Sequence, residues 1–221
     1  MLSRFSMVIL AAGRASRMGY PKGLIRSNDR TLLESHIDSF LSCNGRHVHL
    51  VFGENQSVYE ESLPRLFHHS RIDVIINDKV ELGPFYSLQL GLQELPERES
   101  RFVLPVDAQT PASSTWALLA QSASPGLLAV IPTHKNKGGH PVVISHDYSK
   151  LLLALDPKDE KARLDLQNHL LKPDRVKWVE IGDAGVLANY NSPGDLSPCR
   201  RRGESRALAP IAHLDCLSVQ Q

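Results

Sequence analysis

Short, continuously apolar runs alternate with amphipathic stretches through the first half of the chain. Residues 7–10 are all apolar and lead into Ala11-Ala12-Gly13, which is typical of a strand covered on both faces. Thr31-Leu32-Leu33-Glu34 has the form of a capping box and predicts the start of a helix. Further strands are predicted over residues 48–52, 72–76 and 102–106, and further helices over residues 57–67 and from Pro84 onward. This alternation predicts right-handed βαβ units, and therefore an α/β fold: a three-layer α/β/α sandwich with a Rossmann-like, mostly parallel central sheet.

The second half of the chain has a less regular pattern, which fades after Leu196. Strands are predicted over residues 127–131, 141–144, 176–181 and 186–190, and helices over residues 151–155, over 161–171 and from Pro193. We therefore expect one domain over residues 1–196 and a basic, flexible tail over residues 197–221. For the arginines of this tail, a solvated basic patch is favoured over a nucleic-acid-binding arm.

Composition narrows the class of ligand. The 221 residues carry a formal net charge of +1, so no overall field favours nucleic acid or a membrane surface. Aromatic residues make up only 6% of the chain, which argues against a base-stacking platform and suits a small phosphorylated ligand better. Three widely spaced cysteines and the lack of a signal-like or membrane-spanning run predict a soluble, cytoplasmic protein.

The segment after the first predicted strand combines small residues with cations. Gly13 is followed by Arg14, Arg17 and Lys22, at the carboxyl end of a strand, where open α/β sheets bind ligands. Backbone amides of such a loop can approach phosphate closely, and the cations can neutralise its charge. The spacing fits neither a Walker loop nor the GxGxxG motif of dinucleotide-binding folds. An ordinary glycine-rich turn with exposed basic side chains is the alternative.

Asp107 ends the apolar run at residues 102–106. A carboxylate at the tip of a buried strand is a natural Mg²⁺ ligand, because magnesium is usually held by one or two carboxylates together with phosphate oxygens and water. Its alternative role is to cap the helix predicted to begin near Ser113.

Five segments, in order, resemble the MobA-like nucleotidyltransferases, the branch that contains the molybdenum cofactor guanylyl- and cytidylyltransferases. They are the loop over residues 10–24, the helix start at 83–92, Asp107, the Gly139-His140-Pro141-Val142 segment and the closing motif over 189–196. The resemblance covers roughly 190 residues and implies a GT-A-like nucleotidyltransferase fold.

The resemblance also implies an activity and a set of site residues. The implied reaction is Mg²⁺-dependent transfer of a nucleoside monophosphate from an NTP to a phosphate of a small acceptor, most like molybdopterin, with release of pyrophosphate. Lys22, Arg17 and Asp107 would be catalytic, and Asp107, Asn189 and Asn191 would hold the metal. The nucleotide and substrate would be bound by Leu10, Ala11, Ala12, Gly13, Arg14, Gly83, Ser87 and His140. For His140, a purely structural loop histidine is the alternative.

The choice of nucleotide and acceptor depends on finer features. Ala12 and the Gly139-His140-Pro141-Val142 segment resemble the cytidylyltransferases and favour CTP over GTP, whereas Asn189 and Asn191 resemble the guanylyltransferases. Neutral amide oxygens bind Mg²⁺ less strongly than carboxylates do. One alternative is therefore a catalytically weakened nucleotide- or pterin-binding chaperone for a molybdoenzyme. Others are a sugar-phosphate nucleotidyltransferase and an unrelated α/β interaction domain.

Overall fold

One central sheet, covered by helices on both faces, organises the molecule. The structure is a computed structural model that describes residues 2–13, 19–27, 29–93, 99–159 and 174–190. The strands within these ranges are β1 (Phe5–Ala11), β2 (Arg26–Ser27), β3 (Arg30–Thr31), β4 (Val48–Phe52), β5 (Ile72–Ile76), β6 (Ser100–Pro105), β7 (Ala129–His134), β8 (Lys137–Gly138), β9 (Val142–Ile144) and β10 (Val176–Glu180). The α-helices are α1 (Leu32–Ser42), α2 (Gln56–Ser62), α3 (Pro64–Phe67), α4 (Gly83–Gln93), α5 (Ser113–Ser122) and α6 (His146–Leu153).

The strand order of the main sheet is β10-β7-β9-β6-β1-β4-β5, with β8 paired to β7, while β2 and β3 form a separate hairpin. The core strands β6, β1, β4 and β5 are parallel, and β9 runs antiparallel to both of its neighbours. In the register of these strands, Ala11 lies beside Phe52, and Leu10 lies beside Pro105. The carboxyl ends of three central strands therefore meet at one edge of the sheet.

The side chains of β1 alternate between two hydrophobic layers. Met7 and Ile9 pack with α1 and α5 on one face, and Val8 packs with α4 and α6 on the other. Odd-numbered and even-numbered residues of β1 are both buried, one set on each face of the sheet. This burial explains why the apolar run is continuous rather than alternating. The α/β class and the mostly parallel sheet predicted from the sequence are confirmed.

Two predicted helices have different bounds in the structure. The helix predicted over residues 57–67 is divided at Leu63, because a residue that precedes proline is driven out of the helical region. The helix predicted over 151–155 begins earlier, at His146, because the Ser145 hydroxyl accepts a hydrogen bond from the Tyr148 amide and caps it.

The strand predicted over residues 186–190 is wrong. Ala184–Leu187 form a 3-10 helix, whose start is capped by the Asp183 carboxylate accepting from the Gly185 amide. Only Asn189 makes a β-bridge, with Ala108. The predicted helix over 161–171, the helix start at Pro193 and the tail lie outside the described residues. Within the described ranges, no helix is both long and apolar enough to cross a bilayer.

Candidate active site

A cavity of about 320 Å³ opens at the edge where the central strands end. Its walls come from the end of β1, the end of β6, the start of α4, the 3-10 helix Lys22–Leu24 and α2. The lining residues are Leu10, Ala11, Ala12, Gly13, Lys22, Tyr59, Val80, Gly83, Pro84, Ser87, Pro105, Val106 and Asp107. Eight of the residues singled out from the sequence thus lie around one space.

The amino terminus of α4 faces this cavity. Gly83 has a φ of +82°, a conformation that favours glycine, and Pro84 follows as an early helical residue. The Ser87 hydroxyl accepts a hydrogen bond from the Asn77 side chain at 2.9 Å, and the Asn77 amide donates to the Phe52 carbonyl at 2.7 Å. These bonds fix the first turn of α4 against β4. A helix amino terminus held in this position favours an anion such as phosphate.

Lys22 and Asp107, which are 85 residues apart in the chain, meet at the cavity wall. The Lys22 ammonium donates to the Asp107 carboxylate, with 2.7 Å between Nζ and Oδ2. Each side chain is 24% exposed, so both charges remain reachable by a ligand. A cation and an anion are therefore held together in a partly desolvated site, where electrostatic interactions are stronger than in water.

Tyr59 holds the Lys22 turn from behind and was missed by the sequence analysis. Its hydroxyl accepts a hydrogen bond from the Gly23 amide at 3.1 Å. Burial raises the pKa of Tyr59 to about 12, so the phenol stays neutral. A Cβ on Gly23 would lie 2.8 Å from a Val106 methyl carbon, so this turn packs directly against the strand end that carries Asp107. The apolar position of Tyr59 in α2 was the only available signal.

The loop after β6 is bound on one side by the segment at residues 188–190. The Asp107 carbonyl accepts from the Tyr190 amide at 2.7 Å, and the Ala188 carbonyl accepts from the Gln109 amide at 2.9 Å. The side chain of Asn189 is exposed beside this loop. The capping alternative for Asp107 is wrong, because Ala112 is the N-cap of α5 and no side chain caps that helix.

His140 lies near Asp107 but is not among the cavity-lining residues. A Cβ on Gly139 would lie 2.1 Å from the Val186 carbonyl oxygen, so only glycine permits this approach, and the His140 amide donates to the same carbonyl at 2.8 Å. Burial lowers the pKa of His140, and the Asp107 carboxylate opposes that shift. Its Nδ1 is buried and has no hydrogen-bond partner among the described residues.

The side chains around the cavity suit a metal ion that is held jointly by protein and substrate phosphates, rather than one held by protein alone. Within the described ranges, no group of three histidine, cysteine or acidic side chains could enclose a metal. Magnesium, however, commonly needs only one or two carboxylates when substrate phosphates complete its shell, and Asp107 supplies one at the cavity wall. The predicted residues Arg14, Arg17 and Asn191 lie outside the described residues.

An open, mostly parallel α/β sheet with an anion-favouring cavity at its carboxyl edge defines a phosphate-handling α/β protein. Residues 7–173 match the family model described as the MobA-like NTP transferase domain. The chain belongs to this family of nucleotidyltransferases, as the sequence motifs predicted.

Similar proteins support this assignment across most of the chain. A molybdenum cofactor guanylyltransferase of Yersinia pestis (strain Pestoides F) is 33% identical over 204 residues, which are 89% of this chain and 96% of that protein. A molybdenum cofactor cytidylyltransferase of Escherichia coli (strain K12) is 25% identical over 201 residues, covering 91% and 98%. The crystal structure of Rv0371c from Mycobacterium tuberculosis H37Rv aligns with a TM-score of 0.71 at 21% identity, covering 88% and 96%. A manganese complex of that protein aligns with a TM-score of 0.63 at 20% identity, covering 80% and 88%.

Proposed function

We propose that this chain transfers a nucleoside monophosphate from an NTP, with CTP preferred over GTP, to a phosphate of a molybdopterin-type acceptor. The observation that carries the proposal is the meeting of Lys22 and Asp107 at 2.7 Å beside the small-residue turn at the end of β1. Both side chains line one cavity, and we propose that the Asp107 carboxylate binds the metal ion there. Nucleotidyl transfer needs these elements, because its catalysis consists mainly of positioning and charge stabilisation.

In the proposed reaction, an oxygen of the acceptor phosphate attacks the α-phosphorus of the NTP. A new P–O bond forms there, the bond from the α-phosphorus to the bridging oxygen breaks, and pyrophosphate leaves with the negative charge. The Lys22 ammonium stabilises that charge as it develops, and the amino terminus of α4 contributes a positive partial charge. Arg17 is proposed to assist Lys22 on the triphosphate. No covalent intermediate on the protein is required.

The cavity residues also suggest how Mg²⁺ would be held. Asp107 is proposed as its carboxylate ligand, with Asn189 and Asn191 as amide ligands from the segment beside the Asp107 loop. When bound, the ion would neutralise charge on the phosphate oxygens. Because the Asp107 carboxylate also accepts from Lys22, it would hold the ion beside that ammonium group.

The preference for CTP depends on two segments of this chain. Ala12 adds a methyl group to the cavity wall where the guanylyltransferases usually have glycine, and Gly139-His140-Pro141-Val142 resembles the cytidylyltransferase segment. The buried, unpartnered Nδ1 of His140 is proposed to hydrogen-bond the acceptor. The guanylyltransferase relative at 33% identity supports GTP instead, so both nucleotides belong in one assay.

The test is pyrophosphate release by the full chain with each of four NTPs, Mg²⁺ and molybdopterin. The expected result is turnover with CTP at the highest kcat/KM, and no turnover without the acceptor. Greater efficiency with GTP would reverse the nucleotide assignment. Tight NTP binding without release from any NTP would replace this function with that of a nucleotide-binding chaperone for a molybdoenzyme.

A further inference from the structure

A buried histidine on α1 contacts the loop that carries Asp107 at two points. His36 is 0% exposed, and its two ring nitrogens face the residues on either side of Asp107 in the chain. Nε2 lies 3.1 Å from the Val106 carbonyl oxygen, and Nδ1 lies 2.9 Å from the Thr110 hydroxyl oxygen. A single side chain from another element therefore spans the turn at which β6 ends.

The chemistry of these partners fixes the tautomer of His36. A backbone carbonyl can only accept, so Nε2 must carry the hydrogen that is donated to Val106. Burial lowers the pKa of His36 to about 4, so the ring is neutral near pH 7 and Nδ1 is an acceptor. The Thr110 hydroxyl therefore donates to Nδ1. Both ring nitrogens are satisfied in this one arrangement.

The same loop is held at further points that leave little freedom around Asp107. The Val106 amide donates to the Leu10 carbonyl at 3.0 Å. Both the N–H and the carbonyl oxygen of Val106 are therefore hydrogen-bonded. At the far end of the loop, the Ser39 hydroxyl of α1 donates to the Pro111 carbonyl at 2.8 Å. Helix α1 thus contacts the loop before and after Asp107, while residues 188–190 bind it from the other side.

We propose that His36 is a positioning residue, whose bonds to Val106 and Thr110 hold the Asp107 carboxylate where it meets Lys22 and the nucleotide-bound metal ion. The inference rests on the proposed function for its consequence in catalysis. Its structural part stands on the contacts of His36 alone. His36 itself lies behind the loop and is not a cavity-lining residue.

Replacing Thr110 tests the hydrogen bond between His36 and the loop with little disturbance of the core. Thr110→Val removes the hydroxyl that donates to His36 and keeps the side-chain shape, whereas Thr110→Ser keeps the hydroxyl and is the matched control. Losing this hydrogen bond is expected to speed amide exchange at residues 106–110 by roughly tenfold in Thr110→Val. Binding of Mn²⁺, measured by electron paramagnetic resonance in the presence of CTP, is expected to weaken by a similar factor.

The outcomes separate this inference from the proposed function. Faster exchange and weaker Mn²⁺ binding in Thr110→Val, with wild-type values of both in Thr110→Ser, support the positioning role. Wild-type exchange in Thr110→Val, or equal losses in both variants, would overturn it. Nitrogen NMR of the folded wild-type chain gives an independent check, because a hydrogen on Nδ1 of His36 would also overturn it. A wild-type chain that releases no pyrophosphate would instead refute the proposed function and leave the exchange comparison valid.

Discussion

Removing His36 should flatten the acid side of the stability profile. Burial lowers the pKa of His36 from 6.5 to about 4 in the folded chain. Between these values the unfolded chain binds a proton that the folded chain does not, so the free energy of unfolding falls as the pH falls. The difference between the two pKa values corresponds to about 3 kcal/mol of stability, which is fully present above pH 6.5 and fully lost below pH 4.

His49 should also lower the free energy of unfolding as the pH falls. It is 3% exposed, and burial lowers its pKa to about 4, against a smaller opposing effect of Asp73. Together the two histidines therefore make the free energy of unfolding of the wild-type chain fall with a maximal slope of about 3 kcal/mol per pH unit. A variant without His36 should retain about half of that slope.

The assay is urea unfolding of the wild-type chain and of His36→Gln at pH 7.0 and pH 4.5. Glutamine keeps one donor and one acceptor but does not titrate. Between these two pH values the variant should lose about 2 kcal/mol less stability than the wild type. His68→Gln, which changes an exposed histidine, is the control and should follow the wild type. Equal losses in His36→Gln and the wild type would refute the burial argument.

Two further substitutions test individual contacts of the site. Tyr59→Phe removes the acceptor of the Gly23 amide, and it should raise the KM for the NTP about fivefold in steady-state kinetics. Because it leaves that buried amide unpaired, it should also lower the melting temperature by a few degrees. An unchanged KM would contradict the role given to Tyr59. Gly139→Ala places a Cβ 2.1 Å from the Val186 carbonyl oxygen and should destabilise the chain by about 1 to 3 kcal/mol in urea unfolding. Gly182→Ala, where a Cβ meets nothing within 4 Å, is its control, and equal effects of the two would show that the close approach does not matter.

Sequence patterns predicted the strands and helices that are stabilised by hydrogen bonds between near neighbours in the chain or by burial on both faces. The apolar run at residues 7–10 became the central strand β1, and the Thr31 capping box is present with both of its hydrogen bonds. The direction of β9 could not be predicted, because antiparallel pairing with β6 and β7 depends on partners distant in the chain. The 3-10 helix after Asp183 had a usable signal, the Asp-x-Gly spacing, which the apolar residues that follow it obscured.

The candidate site likewise contains residues that the sequence identified and residues that only the fold reveals. Motifs identified the cavity residues that lie outside the strands and α-helices, including Gly13, Lys22 and Asp107. Tyr59 and His36 support those residues from behind, and each lies in a helix where its apolar surroundings are indistinguishable from those of an ordinary core position. Their contacts with Gly23 and Val106 span 36 and 70 residues of chain, so only the fold reveals them.

The most direct measurement for the central claim is CTP-dependent pyrophosphate release by Lys22→Ala, compared with Lys158→Ala as a control on an exposed lysine. Removing one strong electrostatic stabiliser typically lowers kcat by at least about two orders of magnitude. We expect a loss of that size in Lys22→Ala with the melting temperature nearly unchanged, and wild-type turnover in Lys158→Ala. Near-normal turnover in Lys22→Ala would contradict the proposed role of Lys22 in nucleotidyl transfer.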